Sequence, residues 1–374
     1  MRVLLSGGGT AGHINPAIAI ANRIKRDHPD SVIAFVGTKN GMENRLVSRA
    51  GYDIYHVEVR GLQRSLSPRN LLTAYYFLTA PKKARRLIES FRPDCVIGTG
   101  GYVCWPLLKS AAGLGIPCFL HEANAIPGKA VRMLEDRVDR IYINFKDSAF
   151  RYKHPEKLMY TGNPLIDAGD TGAVGKAEAR RILGIPDRYR YIVLSSGGSL
   201  GASTLTSAVI GMMCAMAPRD DVYIVHSTGR AHYEEAKKLF DRCAPGENFV
   251  LRDYIYDMPL WQAAADVIIS RSGSMSLSEI ARAKKPSILV PSPFVAENHQ
   301  FENAKMLMDA GAALVIEEKE LTASLLCETL TDLLGNDAER REMSARLDGF
   351  SKDDAAKIIT EDIDKILKNR SERS

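Results

Sequence analysis

Two groups of residues have the types and spacing to do chemistry. Gly7, Gly9 and Gly12 lie in GGGTAGH with G-x-G-x-x-G spacing, directly behind the apolar run Arg2–Ser6, and His13 closes the group. Glycines so placed let backbone approach a phosphate. An imidazole beside them, with an unperturbed pKa of about 6.5, can take a proton at neutral pH, although an isolated histidine can equally cap or pack locally. In the second group, SRSGSMSLSE, Ser276 and Glu279 have the S-x-x-E spacing of a capping box. Glu279 can satisfy the Ser276 N–H, or its carboxylate can accept two hydrogen bonds from a ribose diol. Further glycine loops, GTGGYVCWP (98–106) and GGSLGA (197–202), follow the apolar runs CVIG and YIVLSS. Ser199 in the latter can bond a phosphate or cap a helix.

These groups need strands and helix starts to hold them. ADVIIS reads as a short buried strand, and Gly273 permits the turn after it. A helix is expected to begin near Ser274–Ser276, with Leu277, Ile280 and Ala281 as its apolar stripe, and to end at Lys284 and Lys285 before Pro286. Such a helix start at a sheet's carboxyl edge is where open α/β folds bind phosphorylated ligands. At the N-terminus Asn15 is expected to cap the next helix, with Pro16 at its first position and Ala17, Ile20, Ala21 and Ile24 buried. A dinucleotide-binding unit would place an acid after its second strand, but Gly37 and Thr38 follow VIAFVG. The loop is therefore expected to meet a phosphate of another ligand. VYIVH and then YIYDM (254–258) are expected to continue the second sheet. Both halves begin strand, glycine loop, helix.

At 374 residues the chain should split into two domains, and 45% hydrophobic with 25% charged residues excludes a disordered class. The N-terminal apolar run is too short for a signal peptide, and no run of about 18 apolar residues would span a membrane. The six cysteines, Cys95, Cys104, Cys118, Cys214, Cys243 and Cys327, are scattered without a C-x-x-C pair. Buried thiols in a reducing cytosol are expected. Residues 1–163 carry 24 Lys+Arg against 13 Asp+Glu, whereas residues 164–374 carry 26 against 32. The basic half suits an anionic membrane surface; no nucleic-acid motif accompanies it. In 70–94, Leu71, Leu72, Tyr75, Tyr76, Phe77 and Leu78 precede a kinking Pro81 and the cations Lys82, Lys83, Arg85 and Arg86. That pattern fits an interfacial helix or a core helix with a solvated end. Asp362 and Asp364 form a D-x-D pattern, but on an amphipathic helix with Ile359, Ile363 and Ile366 they read as a solvated face. No cofactor or metal is expected.

The strings ADVIISRSG, SEIA, KPSILVP and HQ-x-x-NA resemble the donor-nucleotide site of the MurG family. Its members add N-acetylglucosamine to the undecaprenyl-pyrophosphoryl-muramoyl-pentapeptide precursor of peptidoglycan. GGGTAGHINPAIAIA is similar to the family's first glycine loop, and GTGGYVCWP and HEANAIPGKAVR to its acceptor loop and sugar-reading loop. The resemblance runs from residue 3 to about residue 313. It implies that His13 is catalytic and that Thr10, Ala11, Gly12, Ser199, Arg271, Ser274, Met275, Ser276, Leu277 and Ser278 contact the donor. It further implies that Ile255 reads the uracil through its main chain, Glu279 holds the ribose, Gln300 binds the sugar beside the donor-contacting His299, and Asn124 reads a sugar hydroxyl. Gly100, Gly101 and Tyr102 fall on the acceptor side. Cys104, Trp105 and Ala123 replace the family's common Ser, Gly and Gln there, with altered acceptor fit expected. Ile166 stands where an Arg near the donor phosphates is common, and Leu200 replaces a Gln.

The fold so implied is α/β, two Rossmann-like domains facing a cleft (the GT-B architecture). Residues 1–163 form the acceptor- and membrane-facing domain, 164–350 the UDP-sugar domain, and 351–374 a terminal helix returning to the first domain. Inverting transfer from UDP-N-acetylglucosamine to the lipid-linked muramoyl pentapeptide is implied, at the cytoplasmic face of the bacterial membrane and in company with other cell-wall synthesis proteins. The alternatives are a non-catalytic sugar-nucleotide-binding paralogue, suggested by Ile166 and Leu200, and a nicotinamide oxidoreductase, against which the missing acid argues.

Overall fold

The computed structural model describes residues 1–59, 69–166, 174–198, 201–243, 246–352 and 354–372, with the side chains of 69–75, 77, 78 and 296 excepted. The chain forms two compact units, Met1–Ile166 with Lys352–Ser374, and Asp167–Ser351.

The first unit holds seven parallel strands: β1 (Arg2–Ser6), β2 (Val32–Gly37), β3 (Asp53–His56), β4 (Cys95–Gly98), β5 (Cys118–Glu122), β6 (Arg140–Ile143) and β7 (Leu158–Tyr160). Their order is β3-β2-β1-β4-β5-β6-β7. The central strands are apolar runs because helices cover both faces of a parallel sheet. Leu4, Val96 and Leu120 pack into one core layer, and Val3, Leu5, Ile97 and Phe119 into the other. The order reverses between β1 and β4, so the loops leaving Ser6 and Gly98 diverge at a topological switch point. Both are the glycine loops of the sequence.

The helix after β1 runs Ala11–Asp27, starting four residues before the expected Asn15 cap, with Pro16 inside it. Pro16 has no N–H to give the carbonyl four residues back, that of Gly12, so the helix runs through it with one intrahelical hydrogen bond fewer. The Arg69–Phe91 helix likewise runs through Pro81, whose carbonyl accepts from Ser110 Oγ at 2.8 Å. Ala80, Ala84, Ile88 and Phe91 form its buried stripe, and Lys82, Lys83, Arg85 and Arg86 are exposed. Apart from the half-buried Tyr76, the apolar cluster at 71–78 lies outside the described side chains.

The terminal helix, Ala355–Ser371, lays Ile359 and Ile363 into the Val3–Leu5–Ile97 layer. Its D-x-D pattern is not the solvated face expected. Asp362 accepts from Arg140 Nε at 3.0 Å and the Tyr142 hydroxyl at 3.1 Å, and Asp364 meets His28 Nε2 at 2.8 Å. A carboxylate at the margin of an apolar stripe is satisfied by pairing to the body it packs on.

The second unit holds six parallel strands: β8 (Tyr191–Ser196), β9 (Val222–Ser227), β10 (Phe249–Arg252), β11 (Val267–Ser270), β12 (Ser287–Leu289) and β13 (Leu314–Val315). The order β10-β9-β8-β11-β12-β13 reverses between β8 and β11. The segment 254–258 is not the strand expected from YIYDM. The strand is FVLR just before it, and Asp257 caps a helix opening with Met258-Pro259. Proline is favoured in the first turn of a helix, and Pro259 stands there. The cysteines also depart from expectation, since Cys214 and Cys243 form a disulfide with Cα atoms 5.7 Å apart. They are 29 residues apart in sequence, at the ends of consecutive helices, a proximity no local spacing encodes. Cys95, Cys104 and Cys118 are buried thiols, and Cys327 is half-buried. No helix among the described residues is long and apolar enough to cross a membrane.

Candidate active site

The two glycine loops of the first unit interlock backbone to backbone. Gly8 N–H donates to the Gly100 carbonyl at 3.3 Å. Gly100 and Gly101 have φ of +109° and +83°, and a Cβ on them would lie 2.4 Å from His13 Nδ1 and 2.3 Å from the Gly8 carbonyl oxygen. No residue with a side chain fits either place. The Thr99 hydroxyl donates to the His13 carbonyl at 2.6 Å, and Cys104 Sγ lies 2.9 Å from the Ser6 carbonyl and 2.8 Å from that of Gly100. Cys104 thus stands in as a buried donor beneath the loop. Trp105 and Ala123 are buried too.

His13 is half-buried, with Nδ1 3.1 Å from the Thr99 carbonyl. A carbonyl only accepts, so Nδ1 carries the proton and Nε2 keeps its lone pair. Burial lowers the His13 pKa below its ordinary value, outweighing the Thr99 hydrogen bond, and the ring is neutral at pH 7. Thr10, the N-cap of the following helix, caps it with no side-chain hydrogen bond; Thr10 is exposed and Ala11 and Gly12 are half-buried. The helix start therefore offers backbone N–H groups and a positive dipole end next to His13.

Asn124 is held by a residue sequence reasoning did not single out. Glu122, buried at the end of β5, accepts from Asn124 N at 2.9 Å, Asn124 Nδ2 at 3.1 Å and Gly128 N at 2.8 Å. A carboxylate ending a buried strand was the available signal, since such a charge must organise donors around itself. A second acid was missed after β2. Glu43 turns back to Thr38, the position where a dinucleotide-binding acid was sought, and accepts from Thr38 N at 2.8 Å and Thr38 Oγ1 at 2.7 Å.

In the second unit the helix after β11 is Ser274–Ala283, with Gly273 as N-cap and no side-chain cap. The capping box is absent because Ser276 lies inside the first turn. Glu279 is thereby released from capping; it is half-buried, and its Oε2 lies 3.5 Å from Gln262 Nε2. Burial raises its carboxyl pKa above the ordinary value, against the opposing Arg282 charge and Gln262 amide. Met275 and Ser276 are half-buried, whereas Ser274, Leu277 and Ser278 are buried. Leu277 packs at 2% exposure in the core, leaving only main chain for any ligand.

Arg271, expected to contact the donor, is engaged by protein partners. Its guanidinium pairs with Glu318 and donates to the carbonyls of Val290 at 3.1 Å and Pro291 at 3.3 Å. At 8% exposure it is a bracket between loops. Gln300 Oε1 accepts from Ser292 N at 2.9 Å, and its carbonyl accepts from Ser272 Oγ at 2.8 Å, so Gln300 is fixed beside the β11 loop. His299 precedes it, half-buried, at the start of the His299–Asp309 helix. Ile255 is buried in the loop after β10, and Ile166 is 41% exposed. Ser199 and Leu200 lie outside the described residues. No group of three metal-ligating side chains occurs among the described residues.

The glycosyltransferase family 28 N-terminal domain matches residues 3–143, and the family 28 C-terminal domain residues 192–359. Two Rossmann-type units, each with glycine loops or helix starts at its switch point, define a GT-B glycosyltransferase of that family. A protein of Acetivibrio thermocellus named UDP-N-acetylglucosamine–N-acetylmuramyl-(pentapeptide) pyrophosphoryl-undecaprenol N-acetylglucosamine transferase is 39% identical over 372 residues, 99% of this chain and 100% of that one. One of Bacillus subtilis with the same name is 36% identical over 356 residues, 95% of this chain and 97% of its own. The crystal structure of Acinetobacter baumannii MurG superposes with a TM-score of 0.77 at 26% identity, covering 97% of this chain and 99% of that chain. The chain belongs to the MurG family of N-acetylglucosaminyltransferases. The UDP-GlcNAc 2-epimerase of Neisseria meningitidis, at 15% identity and TM-score 0.70 over 98% of this chain and 100% of that one, shares the fold alone.

Proposed function

We propose that this chain transfers N-acetylglucosamine from UDP-N-acetylglucosamine to the 4-hydroxyl of the undecaprenyl-pyrophosphoryl muramoyl pentapeptide, with inversion. The observation that supports this most is similarity along nearly the whole chain to transferases of that name. The acceptor oxygen attacks the anomeric carbon as the bond from that carbon to the phosphate oxygen breaks and UDP leaves with the electron pair. The acceptor proton passes to His13 Nε2, the ring nitrogen left with a lone pair when Nδ1 donates to Thr99. Glu279 takes the ribose diol, Gln300 and Asn124 take the sugar hydroxyls, and Gly100, Gly101 and Tyr102 form the acceptor side. With Arg271 committed elsewhere, backbone N–H groups at helix starts balance the departing diphosphate.

The exposed cations Lys82, Lys83, Arg85 and Arg86 bring the first unit to the cytoplasmic face of the membrane, where the acceptor's lipid tail is held. Transfer of radiolabel from UDP-N-acetylglucosamine into butanol-extractable lipid, with a chelator present, is the expected result. Label that stays in water with pure enzyme and acceptor would refute the reading and favour the non-catalytic paralogue.

A further inference from the structure

The strand order β10-β9-β8 puts the loop after β9 between two loops assigned to the donor, the glycine loop after β8 and the 254–258 loop whose Ile255 main chain is assigned to the uracil. Contacts tie it to both neighbours. Gly197 N–H donates to the Ser227 carbonyl at 3.4 Å, and a Cβ on Gly201 would lie 2.1 Å from the Thr228 carbonyl oxygen and 2.7 Å from His232 Cδ2. On the other side, Thr228 N–H donates to the carbonyl of Arg252, the last residue of β10, at 3.0 Å. A ligand with its base on one loop and its phosphates on the other crosses the end of β9.

Arg230 stands at that crossing. Gly229, at φ +78°, turns the chain after Thr228, and the arginine that follows has a side chain 65% exposed. Its guanidinium lies 5.7 Å from the ring centre of Tyr254 and 5.9 Å from that of Tyr256, and it donates to the Tyr256 hydroxyl. These two rings flank the buried Ile255, meet edge to face with centres 4.9 Å apart, and are themselves exposed. The carboxylate of Asp253 is 3.9 Å from Arg230 Nε and half exposed. An ion pair so long and so wet is weak, so little holds the cation from a stronger anion. Charge is otherwise short on this path. Arg271 is spent on Glu318, Ile166 brings none, and the N–H groups of helix starts offer dipoles without a net charge.

We infer that Arg230 is a donor-binding residue: its guanidinium turns from Tyr256 and Asp253 to the diphosphate of the UDP sugar and supplies the positive charge that neither Arg271 nor residue 166 gives in this chain. This rests on the donor reading of the second unit. A planar fork of donors suits phosphate oxygens, and the same charge offsets the negative charge that UDP carries away as it leaves.

The test is NMR titration of the full chain with UDP and with uridine, which has the base and ribose but no phosphate. Arg230→Gln should weaken UDP binding roughly 10- to 100-fold, the worth of a hydrogen-bonded charge, while uridine binds as before. Arg230→Lys, which keeps the charge and loses the fork, should fall between the two proteins. Added salt should weaken UDP binding less in Arg230→Gln than in the unmodified chain. Unchanged UDP affinity in Arg230→Gln would overturn the inference, and so would an equal loss for UDP and uridine, which would mark a role in the base pocket or the fold. An unmodified chain that binds uridine and UDP equally, or neither, would instead refute the donor reading on which the inference stands.

Discussion

Replacing Glu279 by glutamine separates what this side chain does for the fold from what it does for the donor. The sequence permits a capping role, but the helix is capped by backbone alone at Gly273, so Glu279→Gln removes no cap. Burial raises the Glu279 pKa, so the folded chain holds this proton more tightly than the unfolded chain. Its contribution to stability is therefore present at low pH and lost as pH rises through the raised folded value. At pH 7 the carboxylate is a net strain, and the neutral amide should leave the melting temperature unchanged or higher. Donor affinity should move the opposite way. Hydrogen bonds to a charged group are worth about 1.5–3 kcal/mol, so UDP should bind roughly 10- to 150-fold more weakly. Calorimetry with UDP and thermal unfolding of the same two proteins make the test. Unchanged UDP affinity would refute the ribose role, and a large drop in melting temperature would refute the claim that the carboxylate supports no structure.

His13→Ala should lower turnover by roughly 10²–10⁴-fold with UDP affinity nearly constant, and a variant with near-normal turnover would remove His13 as base. Because the His13 pKa is lowered, activity should hold as pH falls through 6.5 and be lost only below it. His121 and His226 are buried neutral, pushed down to about 4 and about 3. From pH 7 to 5 the unfolded chain protonates them and the folded chain does not, so chemical denaturation should show a loss of roughly 2 kcal/mol for each. In oxidised protein, reducing Cys214–Cys243 should cost about 3–4 kcal/mol for a loop of 29 residues; six thiols titrating in unreduced, unfolded protein would show that no bond had formed. Binding to anionic vesicles should weaken with salt and with Lys82, Lys83, Arg85 and Arg86 changed to Gln. Since Lys83 pairs with Glu58 and Arg85 with Glu89, the loss should fall below the roughly 1 kcal/mol per cation of unpaired basic residues.

The parts of the fold legible in the sequence are those where one local rule decides. Apolar runs closed by glycines mark β1, β4 and β8 because buried parallel strands need both. Local rules failed where two competed. Asn15-Pro16 reads as a helix start, but the helix had already begun at Ala11 and runs through the proline. YIYDM is as strand-like as FVLR, and only the proline after it shows which run can pair. Side-chain partners distant in sequence were not legible at all. Arg271 reads as a free cation until Glu318 meets it, and Asp362 as a solvated acid until Arg140 and Tyr142 do. Glu43 lies five residues beyond Thr38, yet its hydrogen bonds to Thr38 depend on a turn that no local spacing specifies.

The most direct test of the proposed function is the structure of the product. The lipid recovered after incubating pure chain, UDP-N-acetylglucosamine, lipid-linked muramoyl pentapeptide and a chelator should gain one N-acetylhexosamine by mass. Its NMR spectrum should show that sugar β-linked to the 4-oxygen of the muramoyl ring. An α-linked sugar, attachment at another oxygen, or free N-acetylglucosamine with unmodified lipid would contradict it.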